Sequence, residues 1–229
     1  LMRSSAASDV YKRQIIMTFK DLSKKKKLEY IWDYYKLHII GTILAVLALS
    51  SLIYTMFIRI PDTNFCGVAI YGQFLSALNT DKMTADLNKE LNLPEHTSVQ
   101  LQNFYSDSTD VMVEADLNQK FNTYVYALEF HLLLSNAENT KNFTQVEYTT
   151  PITDYLSDEK VNELRKKGLV LDAKDPETGE LKPYGISLKN SKILKKYNLF
   201  QNDTPYISFV PIVDNTENTL KTLDILMEE

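Results

Sequence analysis

The sequence predicts an α/β protein: an N-terminal transmembrane helix followed by one doubly wound lobe built on a mainly parallel sheet. Two observations lead to this fold class. Residues 37–58 (LHIIGTILAVLALSSLIYTMFI) hold no Asp, Glu, Lys or Arg, and about 20 apolar residues in a helix cross a ~30 Å hydrocarbon core. Beyond them, short apolar runs alternate with helical patterns, which is typical of a parallel sheet covered on both faces by right-handed crossovers.

Residues 1–36 precede the predicted span and are expected to have two parts. Residues 9–14 (DVYKRQ) read as the translation of a sequencing-library adapter, so residues 1–16 are predicted to be an unstructured, adapter-derived artefact. Residues 17–36 are predicted to be a basic, amphipathic cytoplasmic segment. This segment would either lie on the inner leaflet as a helix that bends into the span, or simply halt translocation. In both cases anionic inner-leaflet lipid is the expected partner of Lys24, Lys25, Lys26 and Lys27.

The charges beside the span predict its orientation. Lysines are concentrated before residue 37, whereas a single Arg59 directly follows residue 58, so the N-terminus is expected in the cytoplasm. A cleaved signal peptide is the alternative, but its apolar region is shorter, about 7–15 residues. The pattern therefore favours a single-pass cell-membrane protein with residues 37–58 in the lipid bilayer and residues 59–229 outside the cytoplasm.

The predicted extracytoplasmic part is acidic. Residues 61–229 hold 15 Lys and Arg against 26 Asp and Glu, a net charge of −11. Binding to a phosphate backbone needs clustered positive charge, so no nucleic acid is expected as a partner. Cys66 is the only cysteine of the chain, which excludes an internal disulfide. A domain of this size must then be held together by its apolar core.

Strand and helix patterns alternate along residues 61–229. Apolar or alternating runs predict strands at residues 65–71, 99–105, 128–134, 169–173, 184–188 and 206–213, with an extended segment at 146–152. Helical spacing predicts helices at residues 75–91, from 107–110 to about 127, and at 157–167, 191–197 and 216–227, with a short helical turn opened by Ser135-Asn136. The predicted helix start signals are Thr80-Asp81, the segment 107–110, Ser157-Asp158 and Asn215.

Several short motifs resemble a known family. Residues 119–134 (QKFNTYVYALEFHLLL) are similar to a stretch of extracellular solute-binding proteins, residues 182–188 (KPYGISL) resemble their YGIP strand, and residues 219–226 (TLKTLDIL) their closing helix. The order of elements resembles one lobe of the type II periplasmic-binding-protein fold. Residues 27–41 resemble uncharacterised single-span membrane proteins of Gram-positive, clostridia-like bacteria. The resemblance implies a membrane-anchored, solute-binding-like domain, although a full solute-binding protein closes two lobes over its ligand.

Ligands of doubly wound sheets sit beyond the carboxyl ends of the strands. Three predicted strand ends, at residues 71–73, 105–108 and 135–136, supply candidates. The hydroxyl, amide and helix N-terminal N–H groups of Ser108-Thr109 and Ser135-Asn136 would form an anion cradle, or else serve as ordinary caps and turns. A tyrosine farther along the chain is added because tyrosines can line a sugar or peptide surface. The candidate ligand-binding residues are Tyr71, Gly72, Tyr105, Ser106, Ser108, Ser135, Asn136 and Tyr184.

Catalytic chemistry has little support in the sequence. His38, His96 and His131 are scattered, and none belongs to a nucleophile or metal-binding motif. His131 lies in a predicted strand, where it is expected to be a satisfied core or sheet-face residue. No catalytic residue, metal site or cofactor is therefore predicted, and the chain is not expected to be an enzyme.

Two functions remain open. In the first, the domain binds a small ligand or assists a membrane complex, and a ligand that binds only the folded state would raise its melting temperature. In the second, the domain is an interaction or scaffold subunit of the envelope that binds a membrane protein partner and no small molecule. The second function predicts a contiguous exposed apolar patch where the other lobe of a solute-binding protein would sit.

Overall fold

The structure, a computed structural model, describes residues 23–58, 61–211 and 214–229. The chain divides into two units, with the boundary between residues 60 and 61. The adapter-derived segment predicted at residues 1–16 lies outside the described residues, as do residues 17–22 of the predicted amphipathic segment and the end of the strand predicted at 206–213.

The first unit contains one long apolar helix. Helix α1 (Lys24–Ile53) continues into a π-helical turn (Tyr54–Ile58). It runs without interruption from the lysines into the apolar stretch, so it lacks the bend that one of the two alternatives for residues 17–36 included. The stretch Lys24–Phe57 is the one helix among the described residues that is long and apolar enough to cross a membrane. The hydroxyl of Thr42 donates to the His38 carbonyl, so this polar group is satisfied within the helix, as a hydrocarbon environment requires.

The second unit contains six strands and six α-helices among its described residues. The strands are β1 (Thr63–Tyr71), β2 (Thr97–Phe104), β3 (Leu132–Ser135), β4 (Val170–Lys174), β5 (Leu181–Ser187) and β6 (Tyr206–Phe209). The helices are α2 (Ala77–Glu90), α3 (Val111–Tyr126), α4 (Ala137–Gln145), α5 (Asp158–Lys166), α6 (Lys192–Lys196) and α7 (Thr216–Met227), with a 3-10 turn at Ile152–Asp154.

The strands form one open sheet in the order β2-β1-β3-β6-β5-β4. The α/β fold class is confirmed, and β1 pairs in parallel with both β2 and β3. The other three pairs are antiparallel, so the second half of the sheet departs from the predicted parallel pattern. Since β3 and β5 both run antiparallel to β6, the carboxyl ends of β1, β2, β3 and β5 meet at one side of the sheet, the carboxyl edge.

Apolar side chains cover both faces of the sheet, as a doubly wound fold requires. On one face, Ile70 of β1 belongs to the same buried cluster as Leu87 of α2 and Leu226 of α7. On the other face, Leu133 of β3 clusters with Phe121 of α3 and Phe143 of α4. Successive strand residues point to opposite faces, so the same strands supply both clusters.

Side-chain caps set the helix starts. Asp110 and Ser157 accept hydrogen bonds from Met112 N and Lys160 N, which places the starts of α3 and α5 where they were predicted. The start of α2 differs, because Ser76 rather than Thr80-Asp81 provides the cap. Asn215 precedes α7 as expected, but its side chain makes no cap bond and instead donates to the Phe65 carbonyl at 2.6 Å.

The strand predicted at residues 128–134 begins only at Leu132. Leu128 has a positive φ of 56° and closes the end of α3, so residues 129–131 connect the helix to the strand and are not part of it. His131 is paired with Gly67 in both directions: His131 N donates to Gly67 O at 2.8 Å, and Gly67 N donates to His131 Nδ1 at 3.0 Å. His131 is therefore satisfied, as predicted, and its partial burial lowers the pKa of the imidazole.

Candidate functional site

Three loops and the segment before β6 meet at the carboxyl edge. Gly72 N donates to the Phe104 carbonyl at 2.9 Å, which joins the ends of β1 and β2. Phe200 N donates to Gln73 Oε1 at 3.2 Å, so the segment before β6 is held against the loop after β1. These contacts bring most of the predicted ligand-binding residues to the same edge of the sheet.

Tyr71 and Gly72 are fixed by contacts within the domain. The Tyr71 hydroxyl donates to Asn118 Oδ1 at 2.8 Å, and its ring packs edge-on against Phe121 and Phe143. Burial raises the pKa of the Tyr71 phenol. Gly72 has a φ of +78°, a conformation that favours glycine. Both residues thus have structural roles at the end of β1.

Ser106 and Ser108 build the loop that leads into α3. Ser106 Oγ accepts a hydrogen bond from Ser108 N at 3.1 Å, and Ser108 Oγ accepts one from Asp110 N at 3.1 Å. Asp110 then caps α3. Each hydroxyl accepts a hydrogen bond from the next part of the loop, which matches the alternative that these residues are ordinary caps and turns.

Ser135 and Asn136 have the same kind of role at the start of α4. Ser135 is fully buried, and its hydroxyl lies 2.9 Å from Thr140 Oγ1. Asn136 Oδ1 accepts a hydrogen bond from Asn139 N at 2.9 Å and so caps the helix. Its Nδ2 reaches Asp203 Oδ2 at 3.5 Å, which links the loop to the segment before β6.

Tyr184 does not join the other candidates. It lies at the middle of β5 instead of at its carboxyl end, and its hydroxyl donates to Asp175 Oδ2 at 3.0 Å. The same oxygen lies 2.6 Å from Lys182 Nζ. Lys182 and the Thr178 backbone hold the pKa of Asp175 well below its usual value, while burial and then Asp175 raise the pKa of Tyr184. Tyr184 therefore supports the β4–β5 hairpin and has no place in a site at the carboxyl edge.

Several exposed apolar side chains, together called the apolar patch, lie at the carboxyl edge, beyond β1 and β2. Phe74 is 69% exposed, and its ring meets that of Tyr105 edge-on, with centroids 5.7 Å apart. Leu78 lies in the first turn of α2. Val111 and Met112 open α3 and are each 76% exposed. The apolar patch consists of Phe74, Leu78, Tyr105, Val111, Met112 and Val113. Sequence reasoning found only Tyr105 among these residues, since the spacing of the others is that of ordinary helix starts and strand ends.

The charge around the apolar patch is one-sided. Between residues 105 and 120 the chain has four acidic residues and one Lys, Lys120, whereas residues 72–82 hold one Asp and one Lys, Asp81 and Lys82, whose charges cancel. The four carboxylates are exposed and form the acidic rim: Asp107, Asp110, Glu114 and Asp116.

A cavity of about 360 Å3, lined by both polar and apolar residues, lies farther along the same edge. Its walls come from residues 188–205, between the end of β5 and the start of β6. Lys189, Lys195 and Asp203 are the charged residues of its lining. Lys195 Nζ donates to the Asn190 carbonyl at 3.0 Å, and Asp203 contacts Asn136, so the cavity borders one predicted ligand residue.

Groups suited to metal binding or covalent chemistry are not assembled in the part of the chain that the structure describes. No group of three or more His, Cys, Asp or Glu residues that could hold a metal ion occurs there. Cys66 is fully buried, and burial raises the pKa of its thiol to about 11. A thiol with such a pKa stays protonated and is a poor nucleophile at neutral pH.

Comparison with solved structures gives partial matches, two of which are solute-binding proteins. An ABC transporter solute-binding protein from Agrobacterium vitis S4, with bound D-mannitol, has a TM-score of 0.31 and 13% identity; the match covers 54% of this chain and 27% of that one. An N-glycan transport solute-binding protein from Streptococcus pneumoniae, in complex with Man5GlcNAc, has a TM-score of 0.32 and 16% identity; here 58% and 29% are covered. This chain thus matches less than a third of either protein. No protein-family model and no curated protein matches it.

Proposed function

We propose that the chain is a membrane-tethered protein whose extracytoplasmic α/β domain docks on a partner protein of the envelope through the apolar patch. The observation that carries this proposal is the exposure of Phe74, Val111 and Met112 at one edge of the sheet. Soluble surfaces rarely leave large apolar side chains grouped in this way unless they bind something. The function is non-catalytic and uses no cofactor.

Helix α1 supplies the tether in this proposal. Its apolar length suits a bilayer, and residues 24–27 place four lysines before the apolar stretch. Lysines at that position favour a cytoplasmic N-terminus and contact anionic lipid of the inner leaflet. The α/β domain then lies outside the cytoplasm, where its partner is a membrane or envelope protein.

The docking proposal is tested by cross-linking and pull-down of full-length protein from native membranes. Phe74→Ser and Met112→Ser remove apolar surface without opening the core, because both side chains are exposed. Leu181→Ser is the matched control, since Leu181 is as exposed as Phe74, at 69%, and lies in the β4–β5 hairpin. We expect one partner to be recovered with the wild type and with Leu181→Ser, and to be lost with the two patch variants. Equal recovery from all four proteins would refute the proposal.

Solute binding is the second candidate, and the cavity of residues 188–205 favours it. Lys189 and Lys195 in its lining suit a ligand with a carboxylate or phosphate group. A thermal-shift screen of full-length protein with sugars, polyols, carboxylates and sugar phosphates tests this candidate. It requires a ligand that raises the melting temperature of the wild type but not of Lys189→Gln. If no compound of the panel raises the melting temperature, the solute-binding candidate is refuted.

A further inference from the structure

We infer that the partner of the apolar patch presents aliphatic side chains bordered on one side by Lys or Arg. This inference rests on the proposed docking function and names the chemistry of the partner. It follows from three observations: the position of the acidic rim, the rigidity of the patch, and the net charge of the domain.

The acidic rim lies on the β2–α3 side of the patch alone. Asp107 and Asp110 belong to the loop between Tyr105 and Val111, so they directly adjoin apolar patch residues in the chain. On the other side, residues 72–80 around Phe74 and Leu78 are uncharged, and the Asp81 and Lys82 that follow in α2 carry opposite charges that cancel. A complementary surface therefore carries positive groups opposite the rim and only apolar or neutral groups opposite Phe74. Such pairing gives specificity and a faster association rate more than raw affinity.

The patch and its rim are held in place before binding. Asn103 Nδ2 donates to the Leu75 carbonyl at 3.2 Å and fixes the loop that carries Phe74. The Phe74 and Tyr105 rings pack against each other edge-on, and Asp110 Oδ1 accepts a hydrogen bond from Met112 N at 2.9 Å. A partner that docks here thus meets apolar groups and carboxylates in a fixed arrangement, which reduces the entropy lost on binding.

The charge argues against two other occupants. A second copy packed patch to patch offers no basic rim to pair with the carboxylates, and with the two rims aligned it would bring like charges together, which is costly at an interface. An anionic lipid surface would be repelled by the same carboxylates. The net charge of −11 over residues 61–229 adds a long-range field that attracts a cationic partner and repels another copy.

The experiment is site-specific photo-cross-linking of the full-length chain in its native host. A benzophenone amino acid is placed at Met112 in the patch and, as a control, at Leu181. The cross-linked segment is then identified by mass spectrometry. The Met112 probe is repeated with Asp107→Lys plus Asp116→Lys, which reverses two rim charges. Glu95→Lys plus Glu180→Lys is the matched control, because it changes the net charge equally at the exposed amino ends of β2 and β5.

We expect the Met112 probe to capture a segment with aliphatic residues and flanking Lys or Arg. The rim variant should lower the yield about fivefold or more, as expected when charge pairs become like-charge contacts, while the control pair leaves it within about twofold. Capture of this same chain, of lipid, or of a segment without basic residues would overturn the inference. An equal cross-linking yield for the wild type and the rim variant would overturn it too. If the cross-linking yield at Met112 is the same with and without the rim substitutions, the inference about the partner fails but the proposed docking function stands. If the yield at Met112 is no higher than at Leu181, the proposed docking function fails as well.

Discussion

The Tyr197 hydroxyl donates a 2.6 Å hydrogen bond to Asp86 Oδ2, which ties the end of α6 to α2. Lys196 Nζ lies 2.5 Å from the same oxygen. Lys196 and Tyr197 lower the pKa of Asp86, while burial and then Asp86 raise the pKa of Tyr197 to about 12. Residues 188–205 line the cavity at the carboxyl edge, so this contact also fixes one side of that cavity.

Tyr197→Phe should lower the free energy of unfolding by about 1 kcal/mol, the usual net value of one hydrogen bond. The measurement is denaturant unfolding of full-length protein in detergent. A double-mutant cycle with Asp86→Asn should give a coupling of about 0.5 kcal/mol or more, since the two groups share the bond. Additive effects would show that the bond contributes nothing in solution.

The same bond predicts a dependence on alkaline pH. The pKa of Tyr197 is raised from 10 to about 12, so its stabilising effect is complete below pH 10 and is lost as the pH rises through 12. The stability advantage of the wild type over Tyr197→Phe should therefore shrink between pH 10 and 12. Unfolding titrations of both proteins over this range provide the test, and a constant difference would contradict it.

Asp175 should contribute more to stability than Asp172. Asp175 is buried and accepts bonds from Thr178 N, Lys182 and Tyr184, so Asp175→Asn should cost about 3 kcal/mol. Asp172→Asn is the control, because its pair with Arg165 is more exposed and should be worth under about 1 kcal/mol. Chemical unfolding of the two variants beside the wild type measures both values, and equal losses would contradict the role given to Asp175.

The Asp175 contribution should fade in acid. Its folded-state pKa is lowered from 3.8, so the stabilisation is fully present above that value and is lost as the pH falls toward the folded pKa. The wild type should thus approach Asp175→Asn in stability as the pH drops below 4. Thermal melts in a series of acidic buffers would reveal this, and parallel curves would argue against it.

Gly67→Ala should damage the fold. A Cβ at this position would lie 2.0 Å from the Glu129 carbonyl oxygen, a backbone atom that cannot swing aside. We expect a loss of about 3 kcal/mol or more, or failure to accumulate as folded protein. Gly41→Ala is the control, since nothing lies within 4 Å of its Cβ position in α1. Near-wild-type melting of the Gly67 variant would show that the backbone at residues 128–131 can move.

Cys66 should report unfolding. The buried thiol, with its pKa near 11, should react with a maleimide at pH 8 about a hundredfold more slowly in native protein than in denaturant. Because the chain has one cysteine, a single mass shift follows the reaction. Rapid labelling without denaturant would mean that β1 opens readily.

The sequence predicts the individual elements better than their pairing. Asp110 and Ser157 act locally as caps, so the starts of α3 and α5 could be found from nearby residues alone. The end of α3 was predicted to within a residue, but the start of β3 was placed at residue 128 instead of Leu132, because Leu128 adopts a positive φ, which an apolar residue rarely signals. The antiparallel β3–β6 pair joins residues more than 70 positions apart, and no local pattern encodes such a contact.

The candidate site was found only in part. Strand ends located the carboxyl edge, but the polar residues chosen there, such as Ser108 and Asn136, serve as turns and caps. The composition of a loop does not show whether a hydroxyl already takes part in a hydrogen bond within the protein. Val111 and Met112 were overlooked for the opposite reason: their pattern fits a buried helix face, and only the packed fold shows that nothing among the described residues covers them.

The last strand of the sheet is inserted between strands made earlier. Until residues 206–209 leave the ribosome, β2-β1-β3 and β5-β4 are separate pieces, each with an open edge where β6 belongs. Open strand edges invite pairing with other chains. The nascent domain must therefore remain unfinished through nearly all of its synthesis, and a stop codon before residue 206 would leave two sheet fragments for proteolysis instead of a shortened domain.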